Sequence, residues 1–365
     1  MSAPVRDGLI ACAPALSAVA WCARRLEQGS PRSWLRLAAR LYAAASASRS
    51  TPPMPAFGSS RVIGVGSMVL GGAGKTPVAI EIAADLRSRG HLVAFVGHAY
   101  HAQPRFARRV APHDDLAIAG DDALVAATSL QHLGVPVWVA PSRIEAISAA
   151  AANRPDFIVV DGLTRSSPNP GWHATLVVDS ACPLGSGWPV PAGDLRLPPE
   201  VAGPACDEVV IVQDCLDVTP VRALRGFEST PVRHAWIDIA GAVSREMHVL
   251  SIDRLRCARI GLMTFLARPS RVLASLHRRG IHPVCHWVGR DHGTPRPWDA
   301  VSIRALARRF RLDGWIATPK CAAHLRSARI GAPVWTLDVR TRLDPCRPAV
   351  LESRPCAPHV CSPSC

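Results

Sequence analysis

Arg61-Val62-Ile63-Gly64-Val65-Gly66, then Ser67-Met68-Val69-Leu70-Gly71-Gly72-Ala73-Gly74-Lys75-Thr76-Pro77, is the stretch on which the fold turns. An apolar run reads as a buried strand, a glycine-rich turn follows, and Pro77 marks the opening of a helix. Strand, loop and helix in that order are the setting a phosphate-binding loop requires. Glycines let the backbone curl until successive N–H groups face phosphate oxygens, and the helix N-terminus adds positive partial charge at the same point. Gly71, Gly72, Ala73, Gly74, Lys75 and Thr76 are therefore the expected nucleotide-binding residues. Lys75 reaches the β- and γ-phosphates of ATP and the Thr76 hydroxyl ligates Mg²⁺. The general pattern puts a glycine five residues before Gly74. Val69 stands there, so the loop is a variant.

Outward from this loop, short apolar runs recur at 92–96, 135–140, 157–161, 174–178 and 208–212, with helical stretches at 77–89 and 121–133. That alternation predicts an α/β fold, a P-loop NTPase-like parallel sheet with helices on both faces. Asp161 ends the apolar run Phe157-Ile158-Val159-Val160, where a carboxylate on the metal side is expected. A Pro- and Gly-rich span, 182–204, interrupts the rhythm and reads as a functional loop. A second, smaller α/β series follows, with expected strands at 234–239, 259–264, 282–288, 314–317 and 334–337. The expected divisions are an N-terminal helical, membrane-associating segment (1–50), a nucleotide-binding domain (51–229), a second α/β domain (230–342) and a Pro- and Cys-rich, poorly ordered tail (343–365).

Composition narrows the partners. The 365 residues carry a formal charge of +14 and are 48% hydrophobic, which excludes wholesale disorder and favours anionic partners. Aromatics are only 5% and no zinc-finger or base-stacking signature occurs, so nucleic acid is not expected. Of the 42 basic residues only Lys75 and Lys320 are lysines. A compact ammonium is what a phosphate loop needs at position 75; at 320 a functional reading and drift weigh equally. The 12 cysteines show no CxxC pair, which argues against a zinc site and for mostly buried thiols in a reducing compartment. The apolar stretch 9–23 is shorter than the roughly 20 residues that span a bilayer. In the helical stretch 34–47, Arg36 and Arg40 share a face with Arg32. This is either a membrane-surface helix or a helix packed on its own domain.

Beyond the loop, further segments recur in a recognisable order. Val65 to Pro77 resembles V-G-N-x-T-x-G-G-T-G-K-T-P of the lipid A 4′-kinase (tetraacyldisaccharide 4′-kinase) family. Gly120-Asp121-Asp122-Ala123-Leu124 is similar to its G-D-E-P-L, and Asp156 to Leu163 to its D-V-I-x-x-D-D-G-L. Gly185 to Trp188 and Val190 to Arg196 resemble G-N-G and L-P-A-G-P-L-R-E. Ala267-Arg268-Pro269 matches A-R-P, Asp291-His292 resembles D-H-H, and Thr318 to Cys321 resembles the T-x-E-K-D segment. The resemblance implies transfer of the ATP γ-phosphate to the 4′-hydroxyl of a tetraacylated glucosamine disaccharide 1-phosphate, a lipid A disaccharide precursor. It also implies an anionic membrane surface at the cytoplasmic face of the bacterial inner membrane. By the same resemblance Asp121 is the catalytic aspartate and His292 its paired histidine, with Lys75 in the catalytic set, and Thr76 and Asp161 on the metal.

Several positions depart from the family pattern. Val160 replaces one of two paired aspartates, His98 an arginine, Pro319 and Cys321 two acids, and Thr164-Arg165 a Gln-His pair. These departures leave a second expectation standing: a P-loop nucleotide-binding homologue without kinase activity. A partitioning-type ATPase would leave the later segments unexplained.

Overall fold

The computed structural model describes residues 9–12, 33–48, 56–99, 102–163, 172–196, 198–217, 226–326, 328 and 330–344. The tail beyond 344, most of the apolar stretch 9–23, Arg32, the loop residues 51–55 and Thr164-Arg165 lie outside the described residues.

Among the described residues, fourteen strands form one sheet. In chain order they are β1 (Leu9–Cys12), β2 (Arg61–Gly66), β3 (Val93–Val96), β4 (Arg108–Arg109), β5 (Val137–Val139), β6 (Phe157–Asp161), β7 (Trp172–Asp179), β8 (Glu208–Asp214), β9 (Val232–Val243), β10 (Val249–Ser251), β11 (Ile260–Thr264), β12 (Cys285–Val288), β13 (Gly314–Ala317) and β14 (Val334–Leu343). The principal helices are α1 (Ser33–Ser48), α2 (Lys75–Ser88), α3 (Asp121–Leu130), α4 (Arg143–Ala151), α5 (Ile252–Cys257), α6 (Pro269–Arg278), α7 (Pro297–Phe310) and α8 (Pro319–Ala323).

The spatial order is β1-β12-β11-β13-β14-β9-β8-β7-β2-β6-β3-β5-β4, with β10 on β9. Strands β8, β7, β2, β6, β3 and β5 run parallel, as the alternating sequence pattern requires, and β4 closes that edge antiparallel. Every residue of β3 and β6 is buried, which is why these strands read as unbroken apolar runs. α2 packs on one sheet face through Val78, Ala79, Ile82, Ala83 and Leu86. That spacing draws one stripe along a 3.6-residue helix. Burying each of its larger apolar side chains stabilises the fold by about 1.5–3 kcal/mol.

β9 joins the two halves of the sheet. It is 12 residues long; its first part runs parallel to β8 and its later part pairs antiparallel with β14. Both strands exceed the sequence-based spans 234–239 and 334–337, because their length comes from pairing with each other. The cysteines correct the expectation of mostly buried thiols: among those described, Cys285 and Cys321 are buried, whereas Cys182, Cys215 and Cys257 are exposed.

Candidate active site

The loop from Ser67 to Gly74 leaves the C-terminal end of β2 and delivers Lys75 as the first residue of α2. Gly71, Gly72 and Gly74 all have φ between 72° and 85°, a region L-residues enter only at a cost. The span 182–204 braces this loop. Leu70 N–H donates to Asp194 O at 2.8 Å, Arg196 N–H donates to Met68 O at 2.7 Å, and Val69 bridges Leu195. Val69 is 2% exposed and packs with Met68, Ala73, Leu176 and Leu195. The variant position is thus an apolar anchor for the loop.

At the end of β6, Asp161 lies beside β2 and accepts a 2.6 Å hydrogen bond from Thr76 Oγ1. Asp122 Oδ1 stands 3.0 Å from the same hydroxyl. Two carboxylates therefore face the hydroxyl although Val160 supplies none: Asp122 stands where the G-D-E-P-L segment carries its own acid, and the Val160 side chain is buried among Val62, Ala94 and Ile158. Burial, and after it the Asp122 carboxylate, pushes the Asp161 carboxyl up to about 6. Lys75 is held below the ordinary lysine value, first by burial.

Asp121 is the first residue of α3, whose N-cap is Gly120. Its carboxylate therefore does not cap the helix; Asp121 Oδ1 accepts the Asp122 N–H at 2.9 Å instead. His292 arrives from the loop after β12, and its Nδ1 lies 2.9 and 3.0 Å from the two Asp121 oxygens. It holds φ 53°, a strained setting for a non-glycine residue. Lys320, on α8, sets its Nζ 3.0 Å from Asp122 Oδ1 and 3.4 Å from His292 Nε2. His324, just past α8, places Nε2 2.9 Å from Asp121 Oδ2. Burial alone would raise the Asp121 pKa. Hydrogen bonds from His292 and His324 outweigh it, and the carboxyl lies well below the usual range.

All the site residues expected from the sequence thus gather at the C-terminal ends of β2 and β6. Asp122, Lys320 and His324 join them. The pattern Gly-Asp-Asp held a signal for Asp122, and the rarity of lysine one for Lys320; nothing in the sequence pointed to His324. His98 does not replace a cation. Burial, followed by the Arg143 guanidinium, pushes it down to about 4, and it is neutral at pH 7. Cys321 is buried below the site and accepts the Phe265 N–H at its Sγ.

Two groups of side chains have the chemistry of a cation site. Asp121, Asp122 and His292 bring ligand atoms within 4.8 Å of one another, but the Lys320 ammonium already lies against both carboxylates. Thr76, Asp122 and Asp161 offer oxygen only, and Asp161 Oδ1 is buried with no hydrogen-bond partner. A buried carboxylate oxygen without a donor is costly. A hard divalent ion such as Mg²⁺, which takes oxygen ligands and one or two carboxylates, fits this second set.

One helix seats the second half of the sheet on the loop. Arg268, preceding α6, reaches Asp194 at 2.5 Å. Arg271 donates to Gly72 O at 2.7 Å and pairs with Asp179 at 3.2 Å. Arg279 pairs with Asp214 at 2.8 Å and Asp238 at 2.9 Å.

The comparisons with known proteins place the chain as a whole. The sequence profile of the family described as tetraacyldisaccharide-1-P 4′-kinase matches residues 31–354. A protein of Methylobacterium sp. (strain 4-46) named tetraacyldisaccharide 4′-kinase is 32% identical over 320 residues, covering 86% of this chain and 90% of that relative. One of the same name from Methylobacterium nodulans is 32% identical over 317 residues, covering 86% and 88%. The crystal structure of LpxK from Aquifex aeolicus, in complex with ATP, superposes with a TM-score of 0.58 at 18% identity. It covers 87% of this chain and 92% of that one, and shows a shared fold.

Proposed function

The chain belongs to the tetraacyldisaccharide-1-P 4′-kinase family, and we propose that it moves the γ-phosphoryl group of ATP to the 4′-hydroxyl of a tetraacylated glucosamine disaccharide 1-phosphate, making a lipid A precursor. The backbone of Gly71 to Thr76 and the Lys75 ammonium hold the triphosphate. Thr76, Asp161 and Asp122 would hold Mg²⁺, which when bound neutralises charge on the phosphate oxygens.

Asp121 and His292 handle the acceptor. A carboxylate only accepts hydrogen bonds, so the His292 nitrogen facing it carries hydrogen and Nε2 holds the lone pair. His292 Nε2 takes the proton of the attacking hydroxyl, and Asp121 orients the ring and stabilises the imidazolium. The Lys320 ammonium, 3.4 Å from Nε2, is a cation available to the charge of the transferred group. One observation carries this reading: a histidine 171 residues away in sequence meets Asp121, and Asp121 neighbours the Asp122 carboxylate that stands over Thr76. That pair, set beside the phosphate loop, favours transfer over nucleotide binding alone.

The reading divides the chain into a nucleotide half, 51–229, and a second half, 230–342, which supplies His292 and Lys320. Among the described residues no helix is long and apolar enough to cross a membrane. α1 carries Trp34, Leu37, Leu41 and Tyr42 exposed on its surface, with Arg36 and Arg40 also exposed. That combination supports a helix lying on the anionic cytoplasmic face of the inner membrane, where a lipid substrate resides.

The test is direct. Purified protein with ATP, Mg²⁺ and the lipid disaccharide 1-phosphate transfers phosphate, and Asp121→Ala abolishes transfer while retaining nucleotide binding. Nucleotide binding by the parent protein with no transfer to that acceptor overturns the reading.

A further inference from the structure

We propose that His324 is a second, buried positioning histidine that pins Asp121 and thereby aims His292. The proposal rests on the reading of Asp121 and His292 as the proton-handling pair. His324 is 4% exposed and caps the C-terminal end of α8. Its two ring nitrogens are both engaged: Nε2 lies 2.9 Å from Asp121 Oδ2 and Nδ1 lies 3.3 Å from Thr294 Oγ1. Its ring packs against Phe265, with centroids 5.9 Å apart.

The partners define the hydrogen positions. Asp121 is ionised and accepts from the Asp122 amide, so the nitrogen it faces on His324 must be Nε2–H. In the neutral ring Nδ1 is then the acceptor, and the Thr294 hydroxyl donates to it. Thr294 lies two residues past His292 on the same loop, so His324 ties that loop and the Asp121 carboxylate together. With Oδ2 held by His324 and Oδ1 by the Asp122 amide, the carboxylate plane cannot swing. The His292 Nδ1–H is then met in one orientation, and its Nε2 points to one place. His324 does not take the acceptor's proton: it is buried, and its one lone pair, on Nδ1, accepts from the Thr294 hydroxyl.

This arrangement predicts a difference between two substitutions. Gln carries its amide nitrogen at nearly the reach of Nε2, whereas Phe fills the same space beside Phe265 with no donor. His324→Gln is expected to keep kcat within about fivefold of the parent, while His324→Phe loses about 10- to 100-fold in kcat. For both, KM for ATP is unchanged. Ring-labelled ¹⁵N NMR reads the tie without turnover. The parent shows Nε2–H on His324 and Nδ1–H on His292, and His324→Phe shifts or broadens the His292 signal. Equal losses in both variants that track their melting temperatures overturn the proposal, as does a kcat for His324→Phe within twofold of the parent. If the parent itself transfers no phosphate, the kinase reading falls. The His324 tie is then judged by NMR alone, and an Nδ1–H tautomer at His324, or a His292 signal indifferent to its loss, overturns it.

Discussion

Lys320 reaches from α8 to the start of α3 and sets its ammonium 3.0 Å from the Asp122 carboxylate, 198 residues earlier in the chain. Burial works against that charge, but Asp122 and Asp121 outweigh it and raise the Lys320 pKa above the ordinary lysine value. A raised lysine pKa keeps the charge at every pH below the ordinary titration range, so Lys320 adds no pH dependence between pH 6 and 9. Lys320→Gln is expected to lower kcat by about 100-fold. Lys320→Arg is not expected to restore it, because a broad planar fork does not reproduce the point charge set between Asp122 and His292. Steady-state kinetics on the lipid acceptor checks both.

Asp161 predicts a pH effect with a definite sign. Its folded-state value of about 6 exceeds the ordinary 3.8, so the ionised form costs stability above pH 6. That cost disappears as pH falls toward 4. Asp161→Asn is therefore expected to stabilise the metal-free protein by about 1–3 kcal/mol at pH 8 and to change nothing at pH 4. It should also remove Mg²⁺-dependent nucleotide binding. Urea unfolding at the two pH values, with calorimetry of Mg-ATP binding, reads both effects.

Gly71 is expected to tolerate no side chain. Its φ is 73°, and an added Cβ would lie 2.7 Å from Ala267 Cβ, on the segment that leads into α6. Gly71→Ala should weaken ATP binding by at least about tenfold, since the turn must shift and left-handed backbone costs an alanine about 1 kcal/mol. Fluorescent-nucleotide titration measures it, and circular dichroism verifies that the sheet remains.

Trp34→Glu combined with Leu37→Glu should reduce co-sedimentation with vesicles containing anionic phospholipid by about tenfold. ATP affinity should be unchanged, because both side chains are largely exposed.

Much of the architecture was legible because it is local. The parallel strands are mostly buried apolar runs, and those at 157–161 and 314–317 coincide with the sequence reading. The phosphate loop and Asp161 follow from the strand–turn–helix order. What escaped depends on distant partners. The length of β9 and β14 comes from their mutual pairing, and Asp122 stands over Thr76 only because α3 meets α2 across 46 residues of chain. Arg268 was marked by the Ala267-Arg268-Pro269 segment, but Arg271 and Arg279, which pin α6 to Asp179 and Asp214, could not stand out in a chain whose basic residues are almost all arginine. His324 carried no local mark, since a lone histidine after a short helix is an ordinary core residue.

β14 is the last of the described strands in the sequence yet sits in the sheet interior, between β13 and β9. During synthesis β9 must therefore wait, with one edge unclosed, until residues 334–343 leave the ribosome, at about 5–20 residues per second. Nascent chains stopped short of that point hold the nucleotide loop but lack the strand that locks the histidine-bearing half against it. They present instead an open β-edge, a template for aggregation, so chaperone demand should rise with premature termination.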